Sequence, residues 1–385
     1  MHLVRNMKLL HLSDLHLGKH LNEFSLIEDQ KYILNRILEI IADKDIDVVL
    51  IAGDIYDRTV PSEEAVNLLD YFFTELASMN KHVFAISGNH DSDDRLNFGR
   101  KLFTAKNIYI NGRYDGTIPS YDVEDEYGTV HFWLMPFVKA SRVAHFYPDE
   151  DNSSYDKAFR TAISKCRINE NDRNVILIHQ FVTGQSDPEL SGSESAILNV
   201  GNIDKVSSDS FDPFDYVAMG HIHSGQMVGR ETCRYSGTPL KYSIGDRDIK
   251  NEKTVPVITM AEKGNIQIEL VPLKPLRNVR HIKGNLKDLI SHAEDTEDFV
   301  YATLTDEETQ HDAMARIQEV YPRTVRLDYD NKKTRALVSG ETDFEAEGKS
   351  FDELMSDFYK LINGTEPSEE EWKILREVAE EAGVF

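Results

Sequence analysis

The sequence predicts a layered α/β protein, and three observations carry that prediction. Five short apolar runs each close on a polar signature. Helical patterns separate the first three runs. Near Pro272–Pro275 the composition shifts, and a small α+β segment and an acidic helical tail follow. Strands alternating with amphipathic helices imply βαβ units, and functional sites in such sheets form beyond the carboxyl ends of the strands.

The elements follow in order. Lys8–Leu12 is a buried strand that runs into Ser13-Asp14-Leu15-His16. Ser25 with Glu28 has the spacing of a capping box, and Ile27, Ile33, Leu34, Ile37, Leu38 and Ile41 keep helical spacing behind it. Val48–Ala52 ends in Gly53-Asp54-Ile55-Tyr56-Asp57. A second helix begins near Ser62, with Glu63 and Glu64 where negative charge suits the dipole. His82–Ser87 ends in Gly88-Asn89-His90-Asp91, Val175–Ile178 meets His179, and Tyr216–Met219 ends in Gly220-His221-Ile222-His223. Thr183–Ser195 reads as a mobile loop. Residues 276–340 read as strand, helix (about Glu307–Val320) and strand. The tail contains two amphipathic segments, Phe351–Ile362 and Ser368–Ala382, with a capping box at Ser368 and Glu371. The expected domains are 1–274, 275–340 and 341–385.

Charge and composition set limits. Lys plus Arg total 43 against 67 Asp plus Glu, a net −24, which argues against a polybasic nucleic-acid binder. It leaves room for an enzyme acting on a phosphodiester, because bound cations reverse a site's charge locally. Ten of the 24 charges belong to residues 341–385, which hold 14 acidic and 4 basic residues. Two cysteines build no framework of bridges and suit a reducing, cytoplasmic setting. No apolar run reaches the length of a membrane span.

The chemistry sits at the strand ends: Asp14, His16, Asp54, Asn89, His179, His221 and His223. Carboxylate, imidazole and amide donors together suit Mn²⁺, Fe or Zn²⁺ better than Ca²⁺. Seven ligands exceed one ion with open positions and suit two ions with one bridging carboxylate. Two metals roughly 3.5–4 Å apart hold the attacking and leaving oxygens of a phosphoryl displacement. A hydroxide between them would be the nucleophile. Each residue has a bland reading as well: a turn, a cap, a hydrogen-bonded structural histidine. The ordered set is what argues for chemistry. Three functions stay open on these residues: a nuclease, a phosphodiesterase for small substrates, and a non-enzymatic scaffold.

The series Asp-x-His, Gly-Asp-x-x-Asp, Gly-Asn-His-Asp, His, Gly-His-x-His resembles the calcineurin-like metallophosphoesterase superfamily. Thr59 after Arg58 and Asp91 after His90 depart from its Ser/Thr protein phosphatases. The segments His11–Lys19, Ala52–Ser62, Ser236–Ser243 and Phe358–Glu371 resemble the bacterial branch of the DNA double-strand-break repair nucleases. That resemblance implies a four-layer α/β/β/α core with a small α+β cap over the DNA groove and a helical tail. It implies that Asp14, His16, Asp54 and His223 hold one metal, that Asn89, His179 and His221 complete a second, and that Asp54 bridges. His90 would protonate the leaving oxygen, which a departing alkoxide requires. Asp91 would orient His90 or cap a helix. Lys19 and Arg58 would contact phosphate. Two Mn²⁺ ions (Mg²⁺ as the alternative) are the implied cofactors. The implied activities are exonuclease action on duplex ends and endonuclease action on single strands and hairpins. The implied partners are DNA, an SbcC-type SMC-like ATPase whose coiled coil the tail grips, and a second copy of the chain joined through the helix after Ser62 and the segment after Asp91. The implied place is the cytoplasm, at the nucleoid. Archaeal and eukaryotic relatives often carry His where this chain has Asp57, whose role stays open.

Overall fold

A computed structural model of the chain describes residues 5–192, 205–332, 334–335, 350–363 and 365–381. Two compact units meet in the chain between Arg280 and His281. The first begins with β1 (Met7–Leu12), α1 (Ile27–Asp43), β2 (Val48–Ala52), α2 (Glu63–Ser78), β3 (His82–Ile86) and β4 (Ile108–Asn111). It continues with β5 (Ser120–Asp125), β6 (Gly128–Leu134), α3 (Tyr155–Ser164), β7 (Arg173–His179) and β8 (Tyr216–Gly220). It closes with β9 (Gln226–Val228), β10 (Arg230–Tyr235), β11 (Thr254–Met260) and β12 (Ile266–Pro272).

These strands form two six-stranded sheets, ordered β12-β11-β1-β2-β3-β4 and β9-β10-β8-β7-β6-β5. The middle of each sheet is parallel: β1, β2, β3 and β4 in the first, β6, β7, β8 and β10 in the second. A parallel strand is covered on both faces, so its sequence is apolar throughout. Every residue of β2 is buried accordingly. Leu9, Val48, Leu50, Phe84 and Ile86 face Phe132, Leu134, Val175, Leu177 and Ala218 across the space between the sheets. The alternate residues of the second sheet, Ile176, Ile178, Val217 and Met219, pack with Ala158, Phe159 and Ala162 of α3. Beside the first sheet, α1 buries Ile33, Leu34, Ile37 and Ile41, and α2 buries Phe72 and Leu76. The result is helix, sheet, sheet, helix, as expected.

Local chemistry moves two element boundaries. The helix expected from Ser25 begins at Ile27, with Leu26 at its cap and no side-chain capping bond. Ser25 instead pairs with His20 in a short ribbon, and the Glu28 carboxylate pairs with Arg277. The helix expected over Glu307–Val320 spans only Ala313–Gln318, because Asp312 has φ 51° and breaks the helical backbone. At Ser62 the expected cap is present: Ala65 N donates to Ser62 Oγ at 3.3 Å.

The second unit packs β13 (Val279–Gly284), which starts at the boundary, with β14 (Phe299–Leu304) and β15 (Thr324–Tyr329). Val300, Ala302 and Leu304 bury against Leu286 of α4 (Leu286–Ser291) and Ile317 of α5 (Ala313–Gln318). Two further helices follow, α6 (Phe351–Asn363) and α7 (Glu369–Glu381). The expected capping box closes at the head of α7: Ser368 N donates to Glu371 Oε2 at 2.7 Å, and Glu371 N to Ser368 Oγ at 3.3 Å. Arg376 of α7 pairs with Asp352 of α6 at 2.6 Å. Phe358, Ile374 and Val378 stay 47%, 59% and 59% exposed. Among the described residues no helix is long and apolar enough to cross a membrane. Residues 193–195 of the loop expected to be mobile lie outside the described residues.

Two expectations follow from this packing. The Phe84 and Phe132 rings stack across the sheets with centroids 4.4 Å apart. Phe84→Ala should lower stability by about 3–5 kcal/mol, read as an earlier midpoint in urea unfolding. On the second sheet, His131 Nδ1 lies 2.7 Å from Asp122 and Nε2 3.1 Å from Asp172. Burial opposes charge on this imidazole, but the two carboxylates prevail and raise its pKa. A raised histidine stabilises the fold below the unfolded value, and that stabilisation is lost as pH rises through the folded pKa. The contribution of His131 should therefore fall as pH rises through this window, and wild type should lose its stability advantage over His131→Gln in melts across pH 5.5–8.5.

Candidate metal centre

The site assembles where β1, β2, β3, β7 and β8 end. The loops after β1 and β2 are zipped together by their backbones: Asp14 N donates to Gly53 O, His16 N to Asp54 O and Leu17 N to Ile55 O, at 3.0, 3.0 and 2.9 Å. These bonds hold Asp14, His16 and Asp54 at φ 52°, 43° and 49°, in the left-handed region that side chains rarely enter. Such strain persists only where the surroundings over-determine it, and it concentrates at functional sites. Gly53, at φ 87°, has a further reason to lack a side chain: a Cβ there would run into the His179 ring.

The donor atoms fall into two sets that share one carboxylate. Asp54 Oδ2 lies 3.7 Å from His16 Nε2 and 3.3 Å from His179 Nε2. On one side, His16 Nε2 is 3.1 Å from His223 Nε2, which is 3.9 Å from Asp14 Oδ1. On the other, Asn89 Oδ1 is 3.2 Å from His179 Nε2 and 3.0 Å from His221 Nδ1. Six of the seven expected ligand residues are buried, and Asn89 is half-buried. All seven are brought together.

Two imidazole nitrogens at 3.1 Å repel through their lone pairs unless a proton or a cation lies between them. Nitrogens bound at about 2.0–2.1 Å and roughly a right angle apart stand about 3 Å from each other. The donor set therefore fits an ion, and Asp14, His16 and His223, like Asp14, Asp54 and His179, could each surround one. The electrostatics ask for positive charge too. Burial pushes Asp14 up to about 7. Burial also works against charge on His179, yet Asp54 beside it raises that imidazole to about 9. Burial and the neighbouring His179 bring His221 down to about 3, and burial with His16 takes His223 well below its ordinary value. His221 and His223 are thus neutral donors with lone pairs to offer.

Main-chain carbonyls set two further histidines. A carbonyl only accepts, so His179 Nδ1–H donates to Ala52 O at 2.8 Å and Nε2 is turned toward Asp54 and Asn89. His90 Nδ1–H donates to Asp57 O at 3.0 Å and leaves its Nε2 free. Its backbone N donates to Asp54 Oδ1 at 2.9 Å.

Asp91 corrects its expectation. Its carboxylate accepts Ile55 N at 3.1 Å, Tyr56 N at 2.9 Å and Gly88 N at 2.9 Å, which ties the β2 loop to the β3 loop, and His90's ring is held by Asp57 O instead. Ser92, not Asp91, occupies the cap of the following short helix. Lys19 is engaged with Asp57 at 2.8 Å, and Arg58, with a 77% exposed side chain, lies 3.8 Å from the same carboxylate.

A family model described as calcineurin-like phosphoesterase matches residues 7–225, more than half of the chain. The SbcD component of the nuclease SbcCD from Staphylococcus epidermidis is 32% identical over 327 residues, 83% of this chain and 85% of that protein. The chain belongs to the SbcD family of calcineurin-like phosphoesterases. A second model, described as a type 5 capsule protein repressor C-terminal domain, matches residues 275–363. The crystal structure of a dimetal phosphatase from Danio rerio covers 70% of the chain and 99% of its own, at 11% identity and TM-score 0.38. As a member of this family the protein is a phosphoester hydrolase with a site for two divalent metal ions.

The SbcD-family site also rests on residues that sequence reasoning passed over. Gln30 of α1 donates from Nε2 to Leu15 O at 3.2 Å and His16 O at 2.7 Å, while its Oε1 accepts Gly18 N at 2.9 Å. Its signal was available: it is a polar residue on the buried face of an amphipathic helix. Ser13 Oγ, within 2.7 Å of Ser236 Oγ, also donates to Asp14.

Asp54 stands between both donor sets, so Asp54→Ala should weaken both ions by about 100-fold or more, beyond the 10–100-fold typical of a supporting residue. His223→Ala should weaken one. Titration calorimetry with Mn²⁺ separates the two outcomes by stoichiometry.

Proposed function

We propose that this chain is a metal-dependent DNA nuclease that works with an SMC-like ATPase on DNA ends. The observation that carries this reading is the pair of donor sets sharing Asp54, in a chain 32% identical to a nuclease component over 83% of its length. Asp14, His16, Asp54 and His223 would hold one ion, and Asp54, Asn89, His179 and His221 the other, with Mn²⁺ as the proposed metal. Two bound ions supply an activated water and charge stabilisation at the scissile phosphate. The chain supplies the rest. Its main chain fixes the His90 ring through Nδ1, so that Nε2, once it has taken a proton, would pass it to the leaving oxygen.

The exposed parts of the chain support the finer proposals. Val60, Val66, Phe98 and Leu102 are 65%, 44%, 83% and 78% exposed. Exposed apolar residues of this kind mark interaction surfaces; Val66 falls on the helix after Ser62, with Val60 just before it, and Phe98 and Leu102 fall in the segment after Asp91, where a second copy would dock. Phe358, Ile374 and Val378 are anchors for a helical partner, the coiled coil of the ATPase. Residues 275–340 would cap the DNA groove, and 341–385 would hold the ATPase. A cytoplasmic, nucleoid-associated setting follows from that substrate. Exonuclease action on duplex ends and endonuclease action on single strands and hairpins are the proposed activities.

The test is cleavage of an end-labelled blunt duplex with Mn²⁺, with and without the ATPase partner and ATP. Wild type should cut, and His90→Ala should cut about 10²–10⁴-fold more slowly while binding Mn²⁺ as wild type does. A wild type that leaves DNA intact beside its partner, yet hydrolyses a small phosphodiester fast, is a dimetal phosphodiesterase instead.

A further inference from the structure

Asp57 closes the loop zipper, where Asp57 N donates to Leu17 O at 3.2 Å. Both ends of this residue face a histidine of the site. Its side-chain Oδ1 is 3.4 Å from His16 Nδ1, a buried nitrogen with no closer hydrogen-bond partner among the described residues. Its backbone carbonyl accepts the His90 Nδ1–H at 3.0 Å. The rings of His16 and His90 meet edge to face, with centroids 4.9 Å apart.

We infer that Asp57 is a positioning residue that sets His16 through its carboxylate and His90 through its carbonyl, so that each ring turns its Nε2 toward the metal centre. The chemistry is that of a carboxylate behind a metal-ligating histidine: it keeps the proton on the far nitrogen, fixes the ring and raises the basicity of the ligating atom. At 3.4 Å the Asp57–His16 contact is longer than an ideal hydrogen bond. Such contacts tighten when the ligand takes its load.

Lys19 completes the device. Its ammonium sits 2.8 Å from the same Oδ1. It anchors the carboxylate and argues against the other use of this group, a third cation between His16, Asp57 and His90, whose donor atoms lie close enough to surround one. The two arms differ in one respect. The carbonyl arm survives any substitution at 57, whereas the carboxylate arm does not. Loss of the side chain should therefore affect the ion held by His16 and spare the ion on the far side of Asp54.

The test is calorimetric titration of the full chain with Mn²⁺, together with its melting temperature. Asp57→Ala should weaken one of the two ions by about 10–100-fold and leave the other unchanged. Asp57→Asn keeps an acceptor oxygen and should recover part of that loss. Equal binding by Asp57→Ala and wild type overturns the inference, as does joint loss of both ions with a collapse in melting temperature. Wild type supplies an independent reading. In ¹⁵N-histidine spectra with and without Zn²⁺, His16 and His90 should both carry the proton on Nδ1, and a His16 protonated on Nε2 overturns the assignment. Neither measurement uses DNA, so failure here is distinct from failure of the nuclease reading.

Discussion

Asp54 is the constraint on which the site depends. Its carboxylate is buried at the end of a central strand, and both oxygens are committed: Oδ1 to the backbone N of His90, Oδ2 within 3.7 Å of histidines on both sides. A buried carboxylate without compensation is costly. Here that cost is distributed among neighbours that must each be held in place. The zipper of β1 and β2 loops, the Asp91 clamp on three amides and the glycine at 53 all serve to bring donors to one charge.

The fold was legible because its strands are short, apolar and punctuated. Val48–Ala52 and Tyr216–Met219 could be read as buried strands from composition alone, and the residues that followed them became the ligand candidates. The site was legible in the same way, since one strand end contributes one signature. What stayed hidden lies in contacts between segments far apart in the chain. Glu28 looked like half of a capping box, but Arg277, 249 positions away, takes its carboxylate. Asp91 looked like a partner for its neighbour His90, but three amides from two loops claim it. Spacing along a chain reports on local partners, and it is silent where a distant one wins.

The acidity of the chain follows a similar division. The ten net charges of residues 341–385 lie in the part proposed to meet a protein, and among the described residues there Arg376 pairs with Asp352. The remainder includes carboxylates of the centre itself, where bound cations offset them. Net charge over a whole chain therefore says little about what one face of it binds.

The histidines whose tautomers are set by main-chain carbonyls have an evolutionary consequence. The proton on His179 answers to Ala52 O and the proton on His90 to Asp57 O, and neither acceptor depends on a side chain. Neighbouring residues are thus free to drift without disturbing which nitrogen faces the centre. A lineage can remodel the walls of such a site, and with them the molecules it admits, while the reactive atoms keep their orientation. Heritable tolerance of this kind suits a scaffold on which new specificities are tried.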